Sequence, residues 1–278
     1  MEASDRPLRV LVFGAHPDDA ELFAGGLIVR QRRAGNVVKI VSVTDGRSGH
    51  HRVPPEELVA IRRAEAVRAG AAVGAEYVTW DFPDGALLPT LDVRCAIIRE
   101  IRQFSPDLVL THRPFDYHPD HRAVGTAVQD ACYLVTVPHV CPEVPSLARD
   151  PVVASMVDLF TRPVRIQPDV VMDVAAEIDQ VLSMLACHQS QVFEWLPYHD
   201  GVIDSVPPEP VERRKWLRRW IDEFHRTRCR FFAKDLRALG RAPEAVQYLE
   251  VYELSEYAAQ PDEEMLDCLF PGRLSAGG

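Results

Sequence analysis

The chain has 278 residues, 47% hydrophobic and 26% charged, with a formal net charge of -10 and a pI near 5.5. A folded protein with one sizeable core is expected, and the acidic balance argues against nucleic acid as partner, because phosphate recognition needs clustered Lys and Arg. Cys95, Cys132, Cys141, Cys187, Cys229 and Cys268 lie far apart with no C-x-x-C pair, so they indicate neither a zinc ribbon nor a disulfide framework and read as reduced thiols. Residues 1–7 are short and polar and residues 8–15 are too brief to cross a bilayer, so a cytoplasmic protein with no membrane partner is expected.

In chain order, residues 9–14 (RVLVFG) are a short apolar run ending at Gly, the pattern of a buried parallel strand. A loop leads into helical spacing over 22–35, and residues 37–43 (VVKIVSV) read as a second strand, completing one βαβ unit. The alternation continues with a helix over 55–73, a strand at 76–80, a helix over 91–104 and a strand at 107–111. Such alternation predicts an α/β fold, a Rossmann-like, doubly wound, mostly parallel sheet with helices on both faces.

After a helix at about 121–135, the Pro-rich region 138–168 predicts loops and a strand near 153–160. A strand at 169–174 and a helix over 175–187 follow. A long helix is expected over about 211–239, with Trp216, Trp220, Ile221 and Phe224 as its apolar stripe. Its remaining surface carries Arg213, Arg214, Arg218, Arg219, Arg226, Arg228 and Arg230, which read as a solvated face or an inter-subunit contact. One domain spans residues 1–278 in this reading, with a core over about 8–191 and a C-terminal extension over 192–278.

Ligands of an open α/β sheet lie outside the carboxyl ends of its strands, so the segments just past the strands are informative: 15–21, 44–47, 81–84 and 111–121. The first places His16, Asp18 and Asp19 together, with Pro17 restricting the backbone. Taken alone, a histidine after a strand is more often structural, and an Asp-Asp pair is equally a cap for the following helix. The second cluster, His118-Pro119-Asp120-His121, would alone pass for a solvated loop. Two His-and-carboxylate groups at one rim of one sheet can converge on a single ion, and imidazole plus carboxylate suits a catalytic zinc with a vacant position for water. Zinc lowers the pKa of its bound water to roughly 7. One of Asp18 and Asp19 can then ligate while the other takes the proton, and an unligated histidine can stabilise the oxyanion or protonate the leaving amine.

The segment AHPDDAELFAGG, with HPDH further on, resembles the PIG-L/LmbE-like zinc N-deacetylases, which act on N-acetylglucosamine conjugates. Ala20 and then Glu21 stand where many members carry a Glu directly after the aspartates, a variant associated with the bacillithiol-type branch. The resemblance implies a metal-dependent amidohydrolase with one Zn2+ per chain, held by His16, Asp19 and His121. It further implies Asp18 as general base, His118 as stabiliser of the oxyanion, and Asp120 as the carboxylate that orients a histidine. The substrate would be a small amino-sugar molecule, and the protein a homo-oligomer, trimer or hexamer. RRAEAVRAGAAVG (62–74) resembles the family's substrate-contacting helix, which makes Arg62 the first candidate for substrate binding and Arg47 the second. Tyr117, Phe115, Trp80 and Phe82 are candidates for the pocket wall, and His50 and His51 for a loop beside it. ACHQSQ (186–191) and residues 248–256 resemble later family blocks.

Two other readings compete. A sugar-binding or metal-binding protein on this scaffold that has lost catalysis would be expected to show a gap in the set His16, Asp18, Asp19, His118 and His121. A nucleotide-binding oxidoreductase would carry G-x-G-x-x-G after the first strand, where this chain has carboxylates that would repel a pyrophosphate. A serine hydrolase fails because Gly46-Arg47-Ser48-Gly49 is not a nucleophile elbow.

Overall fold

The first strand, β1 (Arg9–Gly14), serves two cores at once, because successive side chains of a strand point to opposite faces. Val10 and Val12 pack into one core, Leu11 and Phe13 into the other. The computed structural model describes residues 6–275, so most of the polar stretch at residues 1–7 lies outside the described residues. Along the chain follow α1 (Asp19–Arg33), β2 (Val37–Thr44), α2 (Pro55–Val73), β3 (Glu76–Phe82), α3 (Leu91–Phe104), β4 (Leu108–Thr111), α4 (Pro119–Ala131) and β5 (Val152–Met156). Then come β6 (Val170–Asp173), α5 (Ile178–Leu185), α6 (Leu196–His199), α7 (Pro210–Phe231), α8 (Ala233–Ala238), β7 (Leu249–Leu254) and α9 (Glu263–Leu269).

The strands lie in the order β3-β2-β1-β4-β5-β7-β6. The first five are parallel, while β7 runs antiparallel to both β5 and β6. Residues of α1, α2, α5, α7 and α9 share the core on one face, and residues of α3 and α4 that on the other. This is the expected doubly wound α/β sheet. The winding reverses between β1 and β4, so the crevice of the fold opens where those two strands end. No helix among the described residues is long and apolar enough to cross a membrane.

Three expectations shift. The strand near 153–160 stops at Met156, and residues 157–160 turn away to line the crevice. The first helix starts at Asp19 rather than residue 22. The long C-terminal helix breaks at Phe232, whose fully buried ring packs among Val157, Ile166 and Val171 and so draws the backbone inward.

The basic face of α7 is also not uniformly solvated. Arg228 is 2% exposed and donates to the carbonyl of Leu22 at 2.8 Å. From β7, the buried Glu250 accepts from the amides of Gly26 at 2.6 Å and Leu27 at 3.0 Å. The last third of the chain therefore grips α1, the helix that begins at Asp19.

Candidate metal centre

The turn after β1 is strained at one residue. Asp18, just before α1, has φ 118° and ψ -20°, a region that L side chains rarely adopt. Such a conformation costs on the order of 1–3 kcal/mol and persists only where neighbours over-determine it. Here the Tyr77 hydroxyl accepts from Asp18 N at 3.2 Å, and the Arg62 guanidinium donates to the Pro17 carbonyl and lies 3.4 Å from Asp18 Oδ1. The two neighbouring aspartates consequently have different partners. Asp18 faces Arg62, whereas Asp19 accepts from His16 N at 2.7 Å and faces histidines.

His16 Nδ1 is 3.4 Å from Asp19 Oδ2, and His121 Nε2 is 3.4 Å from Asp19 Oδ1. His16 Nε2 lies 3.2 Å from Asp84 Oδ1 and 3.3 Å from Asp120 Oδ2. Asp120 is held by the amides of Gly85 at 2.7 Å and Leu87 at 3.1 Å. His118 starts α4, and its Nδ1 accepts from Asp120 N at 3.2 Å. Three overlapping donor sets result, each with its ligand atoms within 4.8 Å of one another: His16, His118 and His121; Asp19, His112 and His121; and His16, Asp84 and Asp120. No such set lies elsewhere among the described residues.

α4 delivers His121 by a close approach to the loop after β4. A Cβ placed on Gly125 would meet the carbonyl oxygen of His112 at 2.5 Å and the carbonyl carbon of Arg113 at 2.9 Å. Only a glycine lets the helix sit this near, and it leaves the His121 ring stacked on His112 at 4.0 Å.

The electrostatics favour positive charge on His16 and His121, whereas burial lowers the pKa of His112 and His118. Burial works against a charged His16, yet Asp120, Asp19 and Asp84 raise its pKa well above 6.5. Burial likewise opposes a charged His121, but Asp19 and Asp116 lift it to about 9. Asp19 is held well below the usual carboxylate range by His121 and His112, against the effect of burial. Asp18 goes the other way: burial pushes its carboxyl up to about 7, with Arg62 opposing. Carboxylates packed around imidazoles call for protons on the rings or a divalent cation in their place. Buried nitrogen and oxygen donors so arranged fit zinc.

The cluster lies at one side of a cleft of about 560 Å³. His16, Asp18, Asp19, Arg62, Tyr117, His118 and His121 line it, and Asp120 sits fully buried behind His16. Arg62 is itself 1% exposed, with its guanidinium largely engaged by the Pro17–Asp18 turn. Arg47 is not in the lining; its guanidinium binds Asp45. Nor are Phe115, Trp80 and Phe82, the last two packing on the core beneath α3 and α4. His50 pairs with Glu194 at 2.9 Å and His51 stacks on Tyr198 at 3.8 Å, both outside the lining. A second cleft of about 630 Å³, beside α7 and α8, has no cluster of this kind.

Sequence reasoning did not single out His112, Asp84, Asp116 or Gln191. His112 Nε2 is 3.1 Å from Asp19 Oδ2 and from the amide of Ala15. The signal for His112 was its position directly after β4, and for Asp84 its position just past β3. Neither stands in a motif of its own.

A family model described as PIG-L: GlcNAc-PI de-N-acetylase matches residues 11–132. Among curated proteins, the chain is 28% identical over 201 residues to diacetylchitobiose deacetylase of Thermococcus kodakarensis, covering 68% of this chain and 74% of that one. It is 26% identical over 238 residues to a probable N-acetyl-alpha-D-glucosaminyl L-malate deacetylase 2 of Bacillus anthracis, covering 77% and 95%. Its fold is similar to that of N,N'-diacetylchitobiose deacetylase from Pyrococcus horikoshii, with a TM-score of 0.67, 21% identity and coverage of 92% and 88%. It is equally similar to that of GalB, a 4-carboxy-2-hydroxymuconate hydratase from Pseudomonas putida, with a TM-score of 0.67, 18% identity and coverage of 92% and 99%. The scaffold alone therefore does not fix the reaction. The matched segment carries both histidine motifs, and over residues 11–132 the chain is similar to that family of deacetylases.

Proposed function

We propose that the chain is a zinc-dependent hydrolase that removes an N-acetyl or other N-acyl group from a glucosamine-containing small molecule. The observation that carries this reading is the buried His-and-carboxylate cluster at the crevice between β1 and β4, with Asp18 beside it and outside its ligand pairs. His16, Asp19 and His121 would hold the ion. When bound, zinc supplies a Lewis acid for the amide carbonyl and acidifies water to a pKa of roughly 7.

The chain's own residues do the rest. Asp18, with its carboxyl near pH 7, is matched to taking a proton from the attacking water and passing it to the leaving amine. Because Nδ1 of His118 accepts a backbone hydrogen bond, a neutral ring carries its proton on Nε2 and can donate it to the developing oxyanion. Asp120, fixed by two amides, orients His16. Apart from Nδ1 of His121, which lies 3.1 Å from Asp116 Oδ1, two buried atoms of lining residues have no hydrogen-bond partner: Nε of Arg62, a donor, and Oε1 of Gln191, an acceptor. Together they suit a sugar hydroxyl.

The test is amine release from N-acetylglucosamine conjugates, before and after chelation and with zinc restored. Loss on chelation and recovery with zinc are expected, as is an Asp18→Asn protein that binds zinc but is slower by at least about 10²-fold. Full activity of the metal-free protein would overturn the proposal.

A further inference from the structure

The part of the cleft away from the cluster is largely apolar, and it begins at the histidines themselves. The ring of Phe23 lies 6.2 Å from His121 and 6.4 Å from Phe224, which stacks on Trp220 at 5.8 Å and an interplanar angle of 13°. A second run leads from His121 to Tyr117 at 5.7 Å and on to Phe160 at 6.0 Å. Leu22, Val157, Leu159, Trp195 and Leu196 extend this surface, with Asp158, His199 and Asp200 as the polar residues beside it.

This wall is braced. Arg228, fully buried, places its guanidinium 4.3 Å from the Phe224 ring and 5.5 Å from that of Phe23 while tied to the Leu22 carbonyl. The turn that carries Trp195 is anchored to α2, because Glu65 accepts from Ser190 N at 2.9 Å and Ser190 Oγ at 2.6 Å. Yet Phe160 and Tyr117 stay 38% and 68% exposed, so the rim presents apolar area to solvent that a ligand would cover. A sugar alone gains little from aliphatic neighbours such as Leu159 and Leu196, and its hydroxyls there would lose water without compensation.

We propose that this wall binds an apolar group, alkyl or aryl, carried by the amino-sugar substrate, so that conjugates with such a group are preferred over the bare sugar. The proposal rests on the deacetylase reading above. Methyl, hexyl and phenyl glycosides of N-acetylglucosamine, N-hexanoylglucosamine and diacetylchitobiose are compared by released amine. At least one apolar probe is expected to exceed the methyl glycoside in kcat/KM by tenfold or more, at about 25 cal/mol per Å² of apolar surface covered. The glycosides report a wall that takes the aglycone, and the N-hexanoyl compound one that takes the acyl chain. Phe160→Ala and Trp220→Ala should each cut that ratio at least threefold.

Hexyl glucoside, which has no amide, is also titrated against the fluorescence of Trp195 and Trp220, with saturable binding expected that weakens in Phe160→Ala. Equal kcat/KM for methyl and apolar probes, a preference for diacetylchitobiose over all of them, or ratios unmoved by both substitutions overturns the proposal while leaving the deacetylase. Saturable hexyl glucoside binding without amine release from any conjugate overturns the deacetylase reading and keeps the apolar site.

Discussion

Gly125→Ala places two opposing effects in competition. On an open helix surface the change would stabilise by about 1 kcal/mol, since glycine is the poorest ordinary helix former. Here the added carbon would sit 2.5 Å from the His112 carbonyl oxygen and 2.9 Å from the Arg113 carbonyl carbon. Both are main-chain atoms, with no rotamer to move aside. Overpacking of this kind typically costs 1–3 kcal/mol, and the absence of side-chain relief puts it at the upper end, about 3 kcal/mol. The net expectation is a loss of about 2 kcal/mol in urea unfolding. To regain ordinary contact, α4 and the loop after β4 must part by roughly 1 Å, which carries His121 away from Asp19. A misplacement of that size costs on the order of 10²-fold in rate. Zinc affinity and amine release should therefore fall together. A variant that is neutral or more stable, with unchanged zinc binding, would refute the close approach of α4 to the loop.

Asp18→Gly should separate stability from function: removing a side chain from a left-handed conformation and a carboxylate from a buried site stabilises by about 1 kcal/mol or more in thermal unfolding, while activity is lost. A less stable Asp18→Gly protein would show that the Asp18 contacts outweigh the strain. Asp120→Asn should weaken zinc about 10- to 100-fold in competition with a chelator, because the amide no longer presents a charged acceptor to His16. Unchanged zinc affinity would remove Asp120 from that role.

His225, outside the histidine-and-carboxylate cluster, gives a pH signature of its own. Burial, then Arg228, holds its pKa well below 6.5, so below that pH the unfolded chain takes up a proton that the folded one does not. Stability then falls with pH, from about pH 6.5 downward, by up to about 1.4 kcal/mol per unit. His225→Asn should show a shallower fall between pH 6.5 and 5 than the parent protein; identical slopes would mean that the ring protonates within the fold.

What could be read from sequence tracks what is local. β1, β2 and β4 announce themselves by apolar runs buried almost throughout, β3 by its place between two helical stretches, and the two histidine motifs by standing just beyond strand ends. His112 and Asp84 escaped because each is a single residue whose role exists only once β1, β3 and β4 lie side by side. β7 matched as a segment, but its place between β5 and β6 depends on pairing between distant strands, which periodicity does not encode. The break at Phe232 was hidden because apolar residues continue at helical spacing through Phe231, Phe232 and Leu236. Arg228 read as solvated because arginine nearly always is. Its burial depends on α1 and β7 supplying carbonyls to it, at Leu22 and Leu249.

The grip of β7 on α1 also orders events in time. Gly26 and Glu250 are 224 residues apart, so their contact can form only after most of the chain has been synthesised. Contacts of such sequence separation carry a loop-closure cost before they return any stability, and they tend to come late and slowly. Until residues 249–254 dock, β6 lacks its neighbour in the sheet, and α1 lacks the carboxylate that holds its middle turn. A nascent chain can thus possess both histidine motifs well before it possesses a fixed cleft, and competence for catalysis becomes a property of the last strand to arrive.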